Sequence, residues 1–124
     1  MEEKRIMAKN EINEEVRPII IHDGDVDYTL EFDRDSVKFA EARGFSIEKV
    51  SDLPMTYIPD LFFYAFRKHH KNVSREKTDR ILFDDLGGLP DGMLERLGQL
   101  YALPFDALTQ SENKPKNAKV TVEF

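Results

Sequence analysis

Six consecutive apolar residues, Leu61-Phe62-Phe63-Tyr64-Ala65-Phe66, interrupt an otherwise strongly charged chain of 124 residues. On a helix such a run points in every direction, so no single packing face can bury all of it. The spacing lets Ile58, Phe62 and Ala65 face a core and turns Phe63 and Tyr64 outward. The run is far shorter than the roughly 20 residues of a membrane span. With 24 acidic and 18 basic residues, a net charge of −6 and no cysteine, the composition predicts one soluble, acidic domain without disulfides, thiolate metal sites or cysteine nucleophiles. A reducing cytoplasm suits it, and the first residues, Met1 to Glu11, offer no secretory signal pattern.

Around this run the local signals predict an α+β fold, mainly helical. Residues 1–16 hold too few apolar side chains to anchor a core element and read as a flexible or loosely helical arm ahead of a single domain over 17–124. The β-branched Ile19-Ile20-Ile21, the turn pair Asp23-Gly24 and the alternation Val26-Asp27-Tyr28-Thr29-Leu30-Glu31-Phe32 predict an antiparallel hairpin. Val120-Thr121-Val122-Glu123-Phe124 repeats that alternation, which predicts a third strand joined to the hairpin through a polar tether over 110–118. About four helices are expected between the strands. Asp33 caps the first, which Gly44 stops with Phe45 folding back, and Ser46 opens a short turn. Thr56 caps the aromatic helix, with Pro59 in its first turn and cations from Arg67 onward at its end. Ser74 caps a helix from Arg75 to Leu86 that puts Ile81, Leu82 and Leu86 inward and stops at Gly87-Gly88. Pro90 opens the last helix, whose Met93, Leu94, Leu97, Leu100 and Tyr101 form the cleanest amphipathic stripe, and Pro104 ends it.

Chemical motifs are sparse. Asp23, Asp25 and Asp27 have the spacing that opens a calcium loop, but Tyr28 and Arg34 stand where that loop needs Gly and Glu, so they read as an acidic hairpin tip. His69-His70 are adjacent and diverge by about 100° on a helix, which suits helix-end carbonyls better than a metal. Neither a phosphate loop nor a nucleophile elbow, a zinc-protease motif or a dinucleotide fingerprint occurs. No catalytic residue, metal or cofactor is expected, and a binding protein fits better than an enzyme. Six bases between Arg67 and Arg80 could meet nucleic acid, but the acidic total charge favours a solvated helix corner. The expected partner-binding residues are Phe63, Tyr64, Phe66, Arg67 and His70.

The order Tyr28-Thr29-Leu30-Glu31-Phe32, Val37-Lys38-Phe39-Ala40-Glu41, Arg43-Gly44-Phe45, Pro59-Asp60-Leu61-Phe62-Phe63-Tyr64-Ala65-Phe66, Leu86-Gly87-Gly88-Leu89-Pro90 and Leu94-Glu95-Arg96-Leu97 resembles the tail assembly chaperones of long-tailed phages and prophages of Gram-positive bacteria. The resemblance spans about Val26 to Phe124 and leaves the arm outside. It implies a small, mainly helical protein of the bacterial host cytoplasm, absent from the mature virion. Such a protein binds the phage tape-measure protein, keeps it soluble, and is displaced as tail-tube protein polymerises. No family catalytic residue exists to carry over. Exposed aromatic area and a sheet edge also allow a homo-oligomer. A structural tail or connector subunit of the virion is the alternative expectation, and a small nucleic-acid-binding regulator the third.

Overall fold

The structure, a computed structural model, describes residues 16–109 and 116–124. It is α+β and mainly helical. Strands β1 (Ile19–Asp23) and β2 (Val26–Leu30) pair antiparallel with Ile19 opposite Leu30 and Asp23 opposite Val26. The two-residue loop is Gly24-Asp25, one position later than the expected Asp23-Gly24. Only Gly24 has positive φ, 63°, which is the pattern of a type II′ turn and of the twist that a tight hairpin needs. Tyr28, Leu30 and Phe32 face the core as the alternation predicts, whereas Val26 at the tip is exposed.

Helix α1 (Arg34–Ala42) starts and stops as its sequence dictates. The Asp33 carboxylate accepts the Ser36 amide at 2.8 Å, and the Ser36 hydroxyl accepts the Asp33 amide at 2.8 Å, which closes a capping box. At the other end Gly44, φ 88°, donates to Glu41 and Phe45 donates back to Ala40, the paired bonds of a Schellman motif. This turn drops Phe45 into the core. A single 3₁₀ turn, Ile47–Lys49, leads on to α2 (Pro54–Ala65).

Helix α2 begins two residues before the expected cap. Pro54 occupies its first position, where a missing N–H costs nothing, and Thr56 lies inside the helix. It also stops at Ala65, so Arg67, Lys68, His69, His70 and Lys71 follow the helix and do not form its last turn. Ser74 caps α3 (Arg75–Asp79) by accepting the Lys77 amide at 3.0 Å. The helix then widens into a π-helical turn, Arg80–Asp85, in which the Leu86 amide reaches the Ile81 carbonyl at 2.8 Å. The wider turn keeps Ile81 and Leu82 buried but leaves Leu86 exposed, against expectation. Helix α4 (Met93–Ala102) sinks Leu97, Leu100 and Tyr101 into the core, and Pro104 ends it in a 3₁₀ turn, Leu103–Ala107.

The expected third strand does not form. In this hairpin register the amides of Thr29 and Glu31 point away from β1. Both are already taken: the Glu31 amide donates to the Ala65 carbonyl at 3.0 Å and the Thr29 amide donates to His70 Nε2 at 2.8 Å. The end of α2 and His70 beyond it therefore close the β2 edge to a third strand. Val120, Val122 and Phe124 stay exposed outside any strand, and the sheet of the described residues has two strands. Most of the expected arm and the tether residues 110–115 lie outside the described residues, although Val16 packs against the core.

Candidate functional site

The aromatic run is the centre of the core. Phe62, Phe66, Leu61 and Ala65 are almost fully buried. Phe66 meets Phe62 and Tyr28 edge-on with centroids 5.1 and 5.4 Å apart, and Phe45 meets Tyr64 and Tyr101 at 5.6 and 5.4 Å. Burial, with the charges of Glu41 and Glu48 adding to it, pushes the Tyr101 phenol up to about 12. The surface that the sequence assigns to the partner is thus largely filled by the protein itself.

Tyr64 is 7% exposed and Phe66 1% exposed, so neither offers its ring to a partner, and the outward turn expected of Tyr64 is overturned. The hairpin, α1 and α4 surround α2 and bury sides that a helix read alone leaves open. Phe63 is half-buried beside the Arg75 guanidinium. The Arg67 guanidinium lies 3.5 Å from the centre of the Phe39 ring, whose surroundings also include Arg43 at 3.6 Å. His70 holds the β2 edge. Phe63, Phe66, Arg67 and His70 line only a dimple of about 20 Å³, room for about one water and no client side chain.

Most of the basic stretch is also occupied, while Lys71 and Arg80 are exposed. Lys68 pairs with Glu31 at 3.2 Å, Lys77 with Asp23 at 3.2 Å, and Arg75 bridges Asp60 and Asp79 at 2.9 Å each. His69 Nε2 donates to Glu31 at 2.8 Å, and neither histidine caps a helix carbonyl. Burial pushes the Glu31 carboxyl up, but the hydrogen bonds from His69 and Lys68 outweigh it and hold the group below its ordinary value. At the hairpin tip, His22 Nδ1 donates to Asp27 at 2.8 Å. Among the described residues no three His, Asp or Glu side chains stand where they could hold a metal, and no helix is long and apolar enough to cross a membrane.

The open apolar surface lies elsewhere. The start of α2, the π-helical turn and the start of α4 enclose a groove of about 440 Å³ whose lining includes Met55, Ile58, Leu82, Phe83, Leu89 and Leu94. Met55 is 82% exposed and Phe83 51%, values that mark large apolar side chains with nothing over them. A second hollow of about 390 Å³, between α1 and Phe105, mixes apolar with charged side chains, including Arg34, Asp35, Lys38 and Glu41. The first groove alone is apolar throughout except for Asp91 and backbone at its border. Sequence reasoning missed it. The available signal was surplus: Phe83 and Leu94 are apolar positions beyond what their helices need to bury, and Met55 follows a helix-starting proline.

The geometry describes a small helical domain, supported by a hairpin, that presents an open apolar groove. The chain belongs to a family described as a domain of unknown function, DUF5055, whose model matches residues 7–124. That match includes much of the stretch ahead of β1, further toward the N-terminus than the resemblance noted in the sequence. No curated protein and no solved structure matches the chain.

Proposed function

We propose that this protein is a phage tail assembly chaperone that non-covalently binds the tape-measure protein and keeps it soluble in the bacterial host cytoplasm during tail morphogenesis, without entering the mature virion. The observation that carries the reading is the groove over Met55, Phe83 and Leu94, an apolar surface framed by helical elements on an acidic domain. Burying one leucine or phenylalanine of a client there contributes about 1.5–3 kcal/mol before the cost of association is subtracted. One groove therefore binds weakly and releases readily. Several copies along a long client supply the holding power, and polymerising tail-tube protein can displace them one at a time. The order of motifs shared with tail assembly chaperones supports the same reading, and the groove residues take the place of Tyr64 and Phe66 as the client contacts.

The test is co-purification of the tape-measure protein with this chain and with its Phe83→Asp variant, together with mass spectrometry of purified virions. Retention by the native chain, loss on Phe83→Asp with unchanged circular dichroism, and absence from virions are expected. Stoichiometric presence in virions would overturn the reading in favour of a structural tail or connector subunit.

A further inference from the structure

We infer that the groove takes a basic amphipathic helix, one whose apolar stripe is flanked by lysine or arginine. This rests on the client-binding reading of the groove and specifies the client's chemistry. The groove is lined from two segments, Pro54 to Pro59 and Leu82 to Leu94. These segments and the two residues flanking each end carry Asp52, Asp60, Asp84, Asp85, Asp91 and Glu95 against two cations, Arg80, which shares a hollow with Phe83 and Asp84, and Arg96, which donates to the Arg17 carbonyl at 3.2 Å. Asp60 turns to Arg75 at 2.9 Å. The other five are exposed: Asp91 lines the groove, Asp84 and Asp85 adjoin Phe83, and Asp52 and Glu95 adjoin the starts of α2 and α4. The starts of these two helices each contribute about half a positive charge, which together with Arg80 and Arg96 is still too little to offset five carboxylates. The border is therefore negative around an apolar floor.

Backbone chemistry selects the form of the ligand. The regular elements bordering it are helical and are joined by a loop over 86–92, so an extended peptide would find no strand edge there for its amides and carbonyls. A helix satisfies its own backbone and needs to offer only side chains at i, i+3, i+4 and i+7. Apolar residues at those positions enter between Met55, Phe83 and Leu94, and cations beside them meet the acidic border.

Two labelled peptides of about 20 residues with the same leucine stripe, one flanked by lysine and one by glutamate, test this against the full chain by fluorescence anisotropy. At about 50 mM salt the lysine peptide is expected to bind about tenfold more tightly, equivalent to about 1.4 kcal/mol, with the preference shrinking at about 300 mM. Asp84→Lys combined with Asp91→Lys, both exposed positions, should reverse the preference, and Phe83→Asp should abolish binding of both. Equal binding of the two peptides overturns the inference, and if it still depends on Phe83 the apolar client reading survives. Lysine-peptide binding that is indifferent to Phe83→Asp, or no binding of either peptide, also overturns it, and co-purification of the tape-measure protein then judges the wider reading separately.

Discussion

His70 accepts the Thr29 amide on Nε2 at 2.8 Å, so an imidazole occupies the place on β2 where a neighbouring strand would supply a carbonyl. The ring also meets Tyr28 edge-on at 5.2 Å. Arg67 and Lys71 lie nearby, and His69 and Glu31 pair beside it. To accept this bond the ring must be neutral, with its proton on Nδ1. Burial and the adjacent His69 lower its pKa below the ordinary 6.5. Because the unfolded chain then binds the proton more readily, the contribution is complete above about 6.5 and is lost as pH falls through the window below it. The melting temperature should fall between pH 7.5 and pH 5, and His70→Gln, whose side-chain oxygen can accept the same amide, should flatten that dependence. An unchanged slope in the variant would assign the effect to other groups.

The aromatic run should behave as core. Phe66→Ala is expected to cost about 3–5 kcal/mol in urea unfolding, because it empties a site that is nearly closed to solvent. Met55→Ala on the same helix should stay within about 0.5 kcal/mol. The same contrast means that Tyr64→Asp would report unfolding and could not isolate a binding surface.

Two glycines should respond with opposite signs. Gly44 holds a φ of 88° at the end of α1, so Gly44→Ala should destabilise by about 1–2 kcal/mol, although a Cβ there would meet nothing within 4 Å. Gly98 lies inside α4 with equally open space, and Gly98→Ala should stabilise by about 0.5–1 kcal/mol. Chemical denaturation of the two variants side by side checks both.

The C-terminal segment should be dispensable to the fold. Val122→Asp is expected to change stability by less than about 0.5 kcal/mol, since the side chain is exposed and the segment pairs with no described strand. A loss of several kcal/mol would mean that Val120–Phe124 joins the sheet after all.

The sequence by itself determined the elements whose signals are local. Asp33 with Ser36, Gly44 with Phe45, Ser74 with Lys77 and the glycine at the hairpin tip each fix a start, stop or turn through bonds among residues a few positions apart, so the α+β character and most helix positions follow from reading along the chain. Tertiary structure alone decided which surfaces remain free. Whether Tyr64 or Met55 faces water depends on what α1, α4 and the hairpin place around α2, and whether the β2 edge is open to a third strand depends on His70 and Ala65. Those are competitions between segments distant in the chain, and a periodicity records only that a residue is apolar, not which neighbour arrives to cover it.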